Sequence, residues 1–138
     1  MTSERTYLRV LEQLRSVGLR PTRQRMALAK LLFAGKDRHV TAEILHGEAQ
    51  AANVPVSLAT VYNTLHQFTN VELLKEIVVE SGRSYFDTNT SHHHHFYCEA
   101  SGELSDIKGS DVAVRLLPDP PKGKKVCGID IIVRVNSN

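Results

Sequence analysis

Three hydroxyl side chains, Thr22, Thr41 and Ser57, each stand just ahead of a stretch with apolar residues at three- and four-residue spacing. A Ser or Thr in that place accepts hydrogen bonds from the otherwise unpaired N–H groups of a first helical turn, so the three positions predict three helix starts. The first helix so predicted carries the stripe Met26, Ala29, Leu32 and Phe33 and ends at Gly35. The second carries Ile44, Leu45, the stem of Glu48 and Ala52, and Pro55 stops it through its missing N–H and its ring. The third is short, with Leu58, Val61, Leu65 and Phe68 on one face. A further helix over 4–17 precedes them, built on Tyr7, Val10, Leu11, Leu14 and Val17 and closed by Gly18. After them, Leu74 to Glu80 and Arg83 to Asp87 read as two strands turning at Ser81-Gly82.

Three helices, a fourth with a polar outer face and then a hairpin is the order of a winged helix. A chain of 138 residues can hold two small domains. The expected class is therefore α+β, with a winged-helix DNA-binding domain over 1–87 and a small α/β dimerisation and ligand-sensing domain over 88–138. In the second part, short strands are expected at Phe96 to Cys98 and Glu103 to Ile107, a weak helix around Ser110 to Leu117, and a loop over 118–123. A last strand, Lys125 to Val135, turns Cys127, Ile129, Ile131, Val133 and Val135 one way and Asp130 and Arg134 the other. About fifty residues bury little surface alone, so pairing with a second copy is expected.

Charge is unevenly placed. Residues 1–38 hold nine Lys and Arg against three Asp and Glu, and residues 39–138 hold eight against twelve. Such a front meets a polyanion readily. The fourth predicted helix turns Thr60, Tyr62, Asn63 and Gln67 outward, and a B-DNA major groove admits a helix and distinguishes bases by donor and acceptor pattern. Ser57 and the first-turn N–H groups offer a phosphate site. Arg20, Arg23, Arg25 and Lys30 offer phosphate or minor-groove contacts. By composition alone the helix would be an ordinary solvated one; its place in the element order and the basic front favour double-stranded DNA.

His92 to His95 is the one biased tract. Extended, it points His93 and His95 one way and His92 and His94 the other. Two imidazoles on one face are half of a metal site, and His39, Asp87 and Glu80 are available to complete it. Imidazole is also a common axial ligand of haem iron, which makes all four histidines, His92, His93, His94 and His95, haem candidates. The cysteines, Cys98 and Cys127, belong to no C-x-x-C pair, so neither a disulfide framework nor an all-sulfur zinc site is expected; both read as small apolar residues. No nucleophile stands with a base and no glycine-rich phosphate loop occurs, so an enzyme is not expected. The opening MTSERTYLRV has no apolar leader region and no run is long enough to span a bilayer, so a cytoplasmic protein with no membrane partner is expected.

These residues, taken together, resemble the ferric uptake regulator (Fur) family. The likeness lies in Gly18-Leu19-Arg20-Pro21-Thr22-Arg23-Gln24-Arg25, His39-Val40-Thr41-Ala42-Glu43, Ser57 to Leu65, and the histidine run before Cys98. Residues 19–26, residues 54–65 and Tyr85-Phe86-Asp87-Thr88-Asn89 are similar to the iron response regulator (Irr) branch. The resemblance implies a homodimer joined by its C-terminal domains, with two winged helices on a pseudo-palindromic operator. It implies Tyr62 and Asn63 at the major groove, Arg20 near the minor groove, and a regulatory metal on His39, Asp87, His93 and His95, with Glu80 left out. Relatives with a cysteine zinc site have C-x-x-C where this chain has Cys98-Glu99-Ala100-Ser101, so structural zinc is not expected. A second family site on His92 and His94 would lack ligands, the matching positions falling near Ala113 and near Ile129 or Asp130.

The branch implies a transcription regulator that binds operators when iron is scarce and lets go when haem or iron is plentiful. The alternatives are a conventional Fur-type repressor activated by Fe2+, Mn2+ or Zn2+, and a metal- or haem-buffering protein. The basic front argues against the last.

Overall fold

Each of the three hydroxyl caps does what its position requires. Thr22 accepts from the Arg25 N–H, Thr41 from the Ile44 N–H and Ser57 from the Thr60 N–H. They open α2 (Arg23–Phe33), α3 (Ala42–Ala51) and α4 (Leu58–Asn70), behind α1 (Ser3–Ser16). The computed structural model describes residues 3–80 and 82–137. The chain divides into two units, Met1–Thr90 and Ser91–Asn138.

In the first unit the helices surround one core: Val10 and Leu14 of α1, Leu28, Ala29 and Leu32 of α2, Ala42, Leu45 and Ala49 of α3, and Val61, Leu65 and Phe68 of α4. On α3 the buried face is 42, 45 and 49, the i, i+3, i+7 row, which turns Ile44 and Ala52 outward, against the expected stripe. A three-stranded antiparallel sheet completes the unit in the order β1-β3-β2, with β1 (His39–Val40), β2 (Lys75–Glu80) and β3 (Arg83–Asp87). The hairpin of β2 and β3 matches the expectation, and Gly82 takes φ +71° as its turn needs; Ser81 lies outside the described residues. Strand β1 was not foreseen. It pairs His39 with Asp87 and Val40 with Phe86.

The second unit is a three-stranded sheet of order β5-β4-β6, with β4 (His93–Cys98), β5 (Leu104–Lys108) and β6 (Ile132–Val135). Strand β5 is antiparallel to β4 and β6 parallel to it. Two expectations fail here. The helix at 110–117 is replaced by a single 3-10 turn, Gly109–Asp111, after which residues 112–131 have no regular structure. A segment that short is marginal as a helix without a core to pack on, no side chain caps the turn, and Leu116 is 88% exposed. The strand from 125 shrinks to four residues because β4 offers partners only for Ile132 to Val135. Cys127 is accordingly exposed, not packed as an apolar residue.

Candidate metal centre and nucleic-acid face

On the first unit, Ser57 caps α4 and its hydroxyl also donates to Thr60 Oγ1 at 2.9 Å. Asn63 is exposed, Thr60 and Gln67 are half-buried, and Tyr62 lays its ring on the core while its hydroxyl donates to Glu43 Oε1 at 3.0 Å. Acceptance by the Glu43 carboxylate, then burial, then the charge of Glu43 raise the Tyr62 pKa above the ordinary 10.0. The hydroxyl is thus a neutral donor at any pH near 7. Arg20 lies in the exposed link before α2 and Arg23 is its exposed first residue. Arg25, between them and α4, is spent inward: Nη1 donates to the Arg20 carbonyl at 2.9 Å, and Nε and Nη2 donate to Gln67 Oε1 at 3.2 and 3.1 Å.

The same unit brings two of the expected ligands together. The register of β1 on β3 sets His39 opposite Asp87, and His39 Nε2 lies 3.2 Å from Asp87 Oδ2. Asp87 is 1% exposed, and its Oδ1 accepts the Asn89 N–H at 2.9 Å. Glu80 is excluded: it sits at the far end of the hairpin from Asp87, half-exposed and paired with Arg83 at 3.2 Å.

On the second unit, β4 begins at His93, so the histidines are themselves strand residues. Their rings alternate as an extended chain demands, His93 against His95 at 4.6 Å and His92 against His94 at 4.9 Å. His93, His94 and His95 are buried and His92 is exposed. Asp106, which sequence reasoning missed, stands opposite His95 across β5. Its Oδ1 is 3.4 Å from both His93 Nε2 and His95 Nε2, while His93 Nδ1 meets the Ser91 carbonyl at 2.7 Å. The Ser91 contact directs the Nε2 lone pair toward Asp106, the outer-shell arrangement usual for a ligating imidazole. Ligands about 2.1 Å from an ion at tetrahedral angles stand about 3.4 Å apart, so the spacing of each nitrogen from the Asp106 oxygen fits ligands of one divalent cation. On the other face, His94 Nδ1 accepts the Ile131 N–H at 3.1 Å and so serves the sheet.

Comparison with known proteins decides the family. The description "Ferric uptake regulator family" matches residues 16–118. The chain belongs to the ferric uptake regulator family. Among the relatives, a peroxide-responsive repressor, PerR, of Staphylococcus aureus is 34% identical over 99 residues, covering 71% of this chain. That alignment spans 66% of the relative, just under two thirds of its length. The Fur protein of Pseudomonas aeruginosa, solved with manganese, is 25% identical with a TM-score of 0.70, covering 91% of this chain and 96% of that one. The Vibrio cholerae Fur protein shares the fold at 21% identity and TM-score 0.72, covering 92% of this chain and 98% of its own. These relatives are named as regulators and a repressor, not as enzymes. Among the described residues of this Fur-family chain no helix is long and apolar enough to cross a membrane.

Proposed function

We propose that this protein is a metal-responsive transcription regulator that binds operator DNA as a homodimer. The observation that carries the reading is the meeting of His93 Nε2 and His95 Nε2 on one oxygen of Asp106, in a family whose named relatives are uptake regulators and repressors. His39 and Asp87, 3.2 Å apart on the first unit, are the further ligands that the family resemblance implies. With nitrogen and oxygen donors and no sulfur, the site suits Fe2+, Mn2+ or Zn2+. A bound ion would supply a positive charge to these donors, and it shifts the protein only as far as its affinity differs between DNA-binding and released states. Arg20, Arg23, Ser57, Thr60, Tyr62 and Asn63 form the DNA face, the arginines neutralising phosphates and the α4 side chains meeting bases.

The finer reading, that of an iron response regulator, makes haem the signal and low iron the binding condition. The motifs at 19–26 and 85–89 support it, and exposed His92 is an imidazole open to a large planar ligand. One titration separates the readings: operator-length duplex against protein that is metal-free, Mn2+-loaded or haem-loaded. Binding that appears with Mn2+ and weakens at least tenfold in His93→Ala/His95→Ala supports the metal switch. Tight metal-free binding lost with haem supports the iron response reading. Absence of sequence-preferring binding in every state overturns both and leaves a metal- or haem-buffering protein. Within the α4 face, Tyr62→Ala weakens operator binding in whichever state binds.

A further inference from the structure

The hydrogen bonds of Arg25 determine which end of the Gln67 amide faces outward. A guanidinium has N–H donors and no acceptor, so the Gln67 atom that meets Arg25 Nε and Nη2 must be the oxygen. An amide seen alone is ambiguous between its two ends; this one is fixed by its partner's chemistry. Both N–H groups come from one planar fork, at 3.2 and 3.1 Å, and a third, from Nη1, ties the fork to the Arg20 carbonyl at 2.9 Å. The Oε1 atom is therefore occupied. Gln67 Nε2 has no partner among the described residues and is not among the buried unpartnered atoms, so it reaches solvent. On α4, Thr60, Asn63 and Gln67 stand at i, i+3 and i+7, a row flanking the apolar face of Val61, Leu65 and Phe68, with Asn63 exposed and Thr60 and Gln67 half-buried.

We infer that Gln67 is a base-reading residue restricted to donating, and that Arg25 is the positioning residue that restricts it. The inference rests on the reading of α4 as the major-groove helix. An unrestrained glutamine reads adenine, donating to N7 and accepting from N6–H2 through both ends of its amide. With its oxygen held, Gln67 has only N–H to offer, and the base edge that presents two adjacent acceptors is guanine, through O6 and N7. Adenine there would set its N6–H2 donor against the amide N–H2. Each half-site thus carries a guanine at the position Gln67 reaches. Arg25 keeps its remaining Nη1 and Nη2 protons for a phosphate, so its charge and its fork have separable effects.

The test selects binding sequences from a randomised duplex library with the full-length protein, metal-free and Mn2+-loaded, as wild type, Gln67→Ala, Arg25→Lys and Arg25→Met. The wild type enriches one guanine per half-site, preferred over adenine by about tenfold. Gln67→Ala loses that preference alone and keeps the others, as a merely structural role would not. Arg25→Lys keeps the charge but not the two-pronged grip, and admits adenine at the same position. Arg25→Met also admits adenine and loses affinity uniformly across sequences. Adenine at the position in the wild type, or a guanine preference that persists in Arg25→Lys and in Gln67→Ala, overturns the inference and leaves the DNA-binding function standing. Absence of sequence preference in the wild type under both conditions overturns the inference and that function together. Thermal unfolding of each variant guards against a loss that is only misfolding.

Discussion

Asp106 is half-exposed, yet its Oδ1 lies 3.4 Å from both buried ring nitrogens, His93 Nε2 and His95 Nε2. Asp106→Ala removes an anionic donor and leaves the strand pairing intact, so divalent-metal affinity falls at least tenfold in calorimetric titration while the melting temperature of metal-free protein changes little. The Tyr62 hydroxyl gives a second test. Its pKa is raised by Glu43 in the folded state, so the stability this pair adds is present below the ordinary tyrosine range and is lost as pH climbs through the raised value. Glu43→Gln should bring the Tyr62 titration down toward 10.0, read as the difference between ultraviolet pH titrations with and without Tyr62→Phe. Cys98 is shifted the other way. Hydrogen bonding from the Ser101 side chain, and then from its backbone, lowers the thiol pKa, so Ser101→Ala should slow alkylation of Cys98 near pH 8.

Helix α4 draws its start from one hydroxyl and its seat from Val61, Leu65 and Phe68. Ser57→Ala leaves the Thr60 N–H without its cap and should cost about 1 kcal/mol in urea unfolding. Phe68→Ala empties a fully buried ring site and should cost about 3–5 kcal/mol. Such local signals were readable: Thr22, Thr41 and Ser57 announced three helices, and the alternation of four histidines announced two faces. What stayed hidden was non-local. A two-residue strand such as His39–Val40 has no periodicity, and only pairing with β3 makes it one. Asp106 looked like any surface acid until β5 paired with β4 and set it opposite His95. The helix at 110–117 was misread because its apolar residues, Val114, Leu116 and Leu117, suggested a buried face in a unit whose core had none to offer.

At the scale of the whole molecule, the second unit gathers few apolar side chains, chiefly Tyr97, Leu104 and Ile107, around three buried histidines. Replacing imidazole-to-carboxylate contacts by metal bonds therefore stabilises it directly, and its melting temperature should rise with Mn2+ concentration and fall on chelation. The parallel pairing of β6 on β4 carries another consequence. The chain reaches β6 only after residues 112–131, an exposed run without regular structure, while β6 is held in place by bonds such as Glu99 N–H to the Val135 carbonyl at 2.9 Å. Covalent continuity and structural membership are thus separate properties of this strand. A protease that nicks the run would give two fragments on a denaturing gel, with β6 then joined to β4 by non-covalent contacts alone.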